Sequence, residues 1–169
     1  MTSYNTMSEQ SLPLRFEISC AAEKPLLAIL RRFISRVAEE IGFTDEDLYQ
    51  IEMAVDEACS NAFIHAYPQA QRNRPVGIDL LIMIEPNVLT IQIRDYGREL
   101  VPPFKGAESV SEYANPDRSQ YNGLGILVMK QFMDEVQFTA IPETGTMVTL
   151  RKRIKERGQP PRGNPRNGV

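Results

Sequence analysis

Between Ile51 and Pro68 the chain reads IEMAVDEACSNAFIHAYP, with Glu57, Asn61 and His65 spaced four apart. At about 100° per residue in a helix, these three fall on one stripe. Leu48, Ile51, Val55, Ala58 and Ala62 fall on a second stripe, roughly 90° round from the first. One face can pack on a core while its neighbour presents a carboxylate, a carboxamide and an imidazole. The first and last can take up a proton, and the carboxamide can donate and accept hydrogen bonds. Such a row beside a core is a place to expect chemistry. The plainer alternative is a helix edge that is simply polar.

Three further signals lie downstream. Asp95-Tyr96-Gly97 ends an alternating stretch. A carboxylate at a strand end can accept a hydrogen bond from an exocyclic amine, and a nearby glycine lets backbone approach a flat ligand. The same tripeptide also suits an ordinary strand-to-loop turn. Asn122-Gly123-Leu124-Gly125 introduces a helical pattern. Backbone N–H groups at a helix start favour an anion, although glycine begins many helices. Gly145-Thr146 opens a last strand, where the hydroxyl could meet a ligand or threonine could serve as a strand former. The chain has no GxxxxGK[ST] segment and no GxGxxG between strand and helix. A P-loop is therefore excluded and a Rossmann site is not expected. A nucleotide would need another design.

The elements that must position these groups follow from periodicity. Leu12 to Cys20 alternates as a half-buried strand, with Leu14, Phe16, Ile18 and Cys20 on one side. Glu23 and Pro25 suit a helix start, Leu26 to Ile41 keeps helical spacing, and Gly42 ends it. Thr44 and Asp47 form a capping-box-like pair for the second helix, which stops near Pro68. Ile78 to Ile84 and Leu89 to Ile93 alternate around Glu85-Pro86-Asn87, which predicts an antiparallel hairpin. Regular patterning vanishes from Asp95 to Asn122, a length that suggests a functional lid or an insertion. Gly123 to Glu135 returns to helix, with Leu124, Leu127, Val128 and Met133 as expected core positions. Val136 to Ile141 and Thr146 to Arg153 predict two more strands. The order β-α-α-β-β-lid-α-β-β predicts an α/β (α+β) two-layer sandwich, with a mostly antiparallel sheet packed on helices. Residues 1–11 are expected to be flexible, 12–155 to form one domain, and 156–169 to form a disordered basic tail.

Bulk properties narrow the function. The chain has 169 residues, 42% hydrophobic and 24% charged, as in an ordinary soluble domain. A net charge of −3 gives no reason to expect direct nucleic-acid binding. No apolar run reaches the length of a membrane span, and MTSYNTMSEQ lacks the features of a signal peptide. Cys20 and Cys59 with one His do not make a zinc site, and reduced thiols in a cytoplasmic protein are expected.

Taken together and in this order, the four signals resemble the GHKL (Bergerat) ATP-binding fold. Within it they are most similar to the bacterial anti-sigma factor serine kinases of the RsbW and SpoIIAB type. DEACSNAFIHAYP resembles that family's N box, DYG its first glycine box, NGLGILVMKQFMDEV its second, and GTMVTLRK its closing strand. The resemblance runs from about Phe16 to Lys152. One departure is Glu99 in DYGREL, where many members carry a glycine.

The resemblance implies a set of roles. Asn61 would offer its side-chain oxygen to Mg²⁺, and Glu57 would be the general base toward a serine hydroxyl of a protein substrate. Asp95 would bind the adenine amine of ATP, with Gly97 allowing close approach and Thr146 assisting. Gly123 and Gly125 would let the lid and helix start cover the phosphates. Arg98, Lys105 or Arg118 could reach the γ-phosphate from the lid, or be solvated charges. His65 is read as a structural hydrogen-bonding group. The implied activity is that of an ATP-dependent serine-protein kinase and anti-sigma factor in a partner-switching system. Its substrate would be a STAS-type antagonist, and its target a sigma factor or another protein. The alternative is an ATP-binding module that sequesters a partner without efficient transfer. A homodimer is also implied, to which Phe16, Leu26, Leu27 and Leu30 could contribute, or they could simply be core.

Overall fold

The computed structural model describes residues 14–65, 77–97, 124–141 and 145–155. In chain order the elements are β1 (Leu14–Ala21), α1 (Lys24–Glu40), α2 (Asp45–His65), β2 (Gly77–Glu85), β3 (Val88–Asp95), α3 (Leu124–Phe132), β4 (Glu135–Ile141) and β5 (Gly145–Arg153). The flanking segments 1–11 and 156–169, and the lid residues after Gly97, lie outside the described residues.

The strands form one sheet in the order β1-β2-β3-β5-β4, with every pairing antiparallel. The helices pack on one face, which is the expected two-layer sandwich. Alternation decides that face. Ile78, Leu80 and Ile82 of β2, Leu89, Ile91 and Ile93 of β3, and Val148 and Leu150 of β5 are buried together. Against them lie Leu30, Ile34 and Ala38 of α1, and Ile51, Ala54, Val55, Ala58 and Ala62 of α2. The stripe read from the sequence of α2 is therefore its core face. Phe16 and Leu27 pack against this core, Leu30 lies within it, and the Phe16 and Phe33 rings meet edge to face at 5.5 Å.

The helix punctuation has a physical cause at each step. Gly42 takes φ +102°, a left-handed conformation that glycine adopts without penalty, and α1 ends just before it. The Thr44 hydroxyl accepts from Asp47 N at 3.2 Å and donates to Asp47 Oδ2 at 2.7 Å, which caps α2. The β2–β3 turn falls at Pro86 and Asn87, with Asn87 at φ 62° and Glu85 opposite Val88.

Three expectations need correction. Leu14 lies on the expected side of β1 but is 52% exposed, because it is the strand's first residue, at the sheet's edge. Leu124 is also exposed. Ile126, Met129 and Met133 form the buried stripe that follows from a 100° step, and Leu124 points the opposite way. α3 ends at Phe132 rather than Glu135, since Asp134 N already donates to Arg151 O at 3.0 Å and Glu135 pairs with Arg151 in the sheet.

Candidate functional site

α2 and α3 run antiparallel across the sheet face. At one end the Tyr49 and Phe132 rings lie 6.1 Å apart. Lys152 of β5 donates there to Gln50 Oε1 and to Phe132 O, both at 2.7 Å. Seven residues earlier on α3 and about two turns later on α2, Gly125 meets Glu57. A Cβ placed on Gly125 would overlap Glu57 Oε2 and stand 3.2 Å from its Cδ. The Glu57 carboxylate thus rests on the first turn of α3. Burial pushes its pKa up, and the neighbouring Asp56 carboxylate adds to the rise. Asp56 in turn takes a 3.0 Å ion pair from Arg31, which ties α1 to this part of α2.

A second cluster forms where β3 ends and β5 begins. Asp95 is 7% exposed, and its Oδ1 accepts from Gly97 N at 2.9 Å and Thr146 N at 3.3 Å. Burial raises the Asp95 pKa, against the opposing pull of those two N–H groups and of Arg94. Gly145 has φ +113°, and a Cβ there would lie 2.8 Å from the Asp95 carbonyl carbon and 2.9 Å from Oδ1. Only a residue without a side chain lets β5 start this close to Asp95. Thr146 Oγ1 is buried with no hydrogen-bond partner among the described residues. A buried hydroxyl without a partner is unfavourable until one pairs with it. Tyr96 turns to the other face of the sheet, where it donates to Asp79 and lies under the Arg94 guanidinium at 4.7 Å.

The two clusters face the same end of the molecule. From Lys152 back to Thr146 is six residues of strand, about 20 Å. The same rise along α2, starting from Asp47–Gln50, is about thirteen residues and arrives near Asn61. Half-buried Asn61 lies one turn beyond Glu57 on α2. His65 is the last residue of α2, but its side chain lies outside the described residues, as do Gly123, Arg98, Glu99, Lys105 and Arg118. Gly145 and Arg31–Asp56 were not anticipated as site residues. For Gly145 the signal was present, in a glycine opening a strand directly before the singled-out threonine.

A half-buried carboxylate on one helix, a glycine-opened helix against it, and a buried strand-end aspartate are all carried by this α/β sandwich. Residues 20–152 match the family model described as the histidine kinase-like ATPase domain. The chain belongs to that family, which implies binding of ATP. It is 33% identical over 127 residues to an anti-sigma F factor of Anoxybacillus flavithermus, covering 72% of this chain and 80% of that one. It is 27% identical to the anti-sigma F factor of Clostridium acetobutylicum, over 83% of this chain and 94% of the relative. It is 28% identical to the serine-protein kinase RsbW of Bacillus cereus, over 89% and 92%. The fold is also similar to a crystal structure of the RsbU and RsbW domains of a Mycobacterium tuberculosis protein, with a TM-score of 0.54 at 16% identity. That match covers 83% of this chain but 32% of the longer one.

The chemistry of the donor set can be tested against the implied groups. No cluster of three or more His, Cys, Asp or Glu that could hold a metal occurs among the described residues. Mg²⁺ is held through one or two protein oxygens plus substrate phosphates. Asn61 can supply such an oxygen. The Thr146 hydroxyl and Asp95 carboxyl supply an acceptor pair that an adenine amine, directly or through water, would satisfy.

Proposed function

We propose that this chain is an ATP-dependent serine-protein kinase that acts as an anti-sigma factor in a partner-switching system. The names of its relatives support the reading. The observation that carries the catalytic half is the Glu57 carboxylate, half-buried against the first turn of α3 with its pKa raised. A general base works best with its pKa drawn toward the operating pH.

The residues then divide the work. Asp95 and Thr146 hold the adenine end of ATP, with Gly97 close to the base. Asn61 would hold Mg²⁺, which would offset the charge of the phosphates. Gly123 and Gly125 would let the lid and the helix start cover the phosphates. Glu57 takes the proton of a substrate serine as its oxygen bonds to the γ-phosphorus. The bond from that phosphorus to the bridging oxygen breaks, and ADP leaves. The serine belongs to a STAS-type antagonist, whose phosphorylation adds about −1.5 to −2 charge and weakens its grip on the kinase. The other partner is a sigma factor or a comparable target, and the kinase works in the cytoplasm as a homodimer, without direct contact to nucleic acid or membrane. No helix among the described residues is long and apolar enough to cross a membrane.

The test is incubation with Mg-ATP and STAS-type proteins of the same organism, read by phosphoserine mass spectrometry. Glu57→Ala is expected to bind ATP and fail to transfer. Asn61→Ala is expected to lose Mg-dependent nucleotide binding. Equal transfer by the Glu57 variant and the native chain would reject the base assignment. ATP binding with no transfer by the native chain would leave a sequestering module.

A further inference from the structure

Gly125 carries a role distinct from leaving room for phosphates. It is the second residue of α3, and the space its missing Cβ would fill is taken by Glu57. That Cβ would overlap Glu57 Oε2, stand 3.2 Å from Cδ and 3.5 Å from Cβ. The whole glutamate side chain therefore lies along the backbone of the first turn. The far end of α3 is pinned by Lys152, which holds Phe132 O and Gln50 together. With that end fixed, the glycine end has a set height along α2. Among the described residues, the charge acting on Glu57 is Asp56 on the same helix, itself paired with Arg31 of α1. No acidic residue lies in the first turn of α3.

We propose that Gly125 is a positioning residue for Glu57, its absent side chain being the seat in which the carboxylate is held. The catalytic consequence rests on the kinase reading above; the seat itself does not. A methyl group at position 125 meets the far end of a flexible side chain, so the fold accommodates it and the carboxylate moves. Alanine is also the better helix former. Gly125→Ala should therefore leave stability unchanged or raised while displacing the base. The backbone N–H at the helix start is retained in alanine, so nucleotide contacts made by backbone persist.

The experiment uses the full chain. In Gly125→Ala the carboxyl ¹³C titration of Glu57 is expected to move down toward an ordinary glutamate, since the displaced carboxylate reaches water. kcat for phosphoryl transfer falls on the order of a hundredfold, as for a misplaced catalytic group, while KM for ATP changes by less than about threefold. Glu57→Asp in the Gly125→Ala background, one methylene shorter, restores part of kcat, although in the native background it lowers it. An unchanged Glu57 titration in Gly125→Ala overturns the proposal. So does a Gly125→Ala loss of equal size in a Glu57→Ala background. If the native chain transfers no phosphate and the titration still moves, the kinase reading fails and the seat stands.

Discussion

Lys152 Nζ lies 3.4 Å from Asp47 Oδ1, with both side chains almost fully out of water. The ammonium also donates to Gln50 Oε1 and Phe132 O, so one cation joins β5, the start of α2 and the end of α3. A buried ion pair satisfied in this way adds little over a good apolar fit, but removing one partner strands the other. Lys152→Met is therefore expected to destabilise the protein by about 3–5 kcal/mol in urea unfolding. Burial pushes the Asp47 pKa up, but the Thr44 hydroxyl and Lys152 together outweigh it and leave the carboxyl below its ordinary value. A depressed folded value contributes stability that is present above the unfolded pKa and is lost as pH falls through the folded one. Asp47→Asn should thus be less stable than the native chain at neutral pH, with the gap closing in acid below the ordinary aspartate range. A gap independent of pH would show that Asp47 does not act through its charge.

Asp95 has the opposite sign. Burial raises its pKa despite two N–H donors on Oδ1. A carboxyl raised on folding is most favourable in acid, and its contribution declines as pH rises through the folded value. Asp95→Asn keeps an acceptor for both N–H groups and removes the buried charge. The variant should be as stable as the native chain or more so at neutral pH, yet lose at least about tenfold in ATP affinity, since an amide nitrogen cannot accept from adenine. ATP affinity of the native chain should also fall as pH drops through the raised Asp95 value. Isothermal titration at several pH values checks both statements.

Gly145→Ala tests the same corner through the backbone. Its φ of +113° and the 2.8 Å approach to the Asp95 carbonyl carbon both exclude a side chain. Strain of this kind is typically about 1–3 kcal/mol, and here backbone must also shift. Thermal unfolding should show a clear drop in Tm, with ATP affinity reduced because Thr146 and Asp95 separate.

Much of this architecture was legible in the chain. Alternation in β2 and β3 fixed their register through the turn at Asn87, and the Thr44–Asp47 pair marked the start of α2. Two kinds of fact were not. Lys152 falls on the core face of β5 by alternation, but composition argues that lysine belongs in water, and its partners lie 20 to 105 positions away. Glu57 and Gly125 are likewise far apart in sequence, so each could be singled out while their contact could not. Leu124 shows the local limit: at the first position of a helix, hydrophobicity alone does not tell which way the stripe faces.

Two threonines separate a binding role from a packing one. Thr90 Oγ1 and Thr146 Oγ1 are both buried without a hydrogen-bond partner among the described residues. Thr90 pairs with Met83 and Arg151 on the sheet face away from the helices, whereas Thr146 faces the helices beside Asp95. Valine matches threonine in shape and removes the unpaired hydroxyl, so each substitution should stabilise the ATP-free protein, by about 1 kcal/mol. If the Thr146 hydroxyl is kept for a nucleotide, only Thr146→Val should weaken ATP binding, by roughly three- to tenfold, the worth of one hydrogen bond. Thr90→Val should gain the same stability and bind ATP as the native chain does. Paired unfolding and titration experiments read both quantities. Equal ATP affinity in the two variants would remove Thr146 from the nucleotide site, and a loss shared by both would trace the effect to the sheet rather than to a contact.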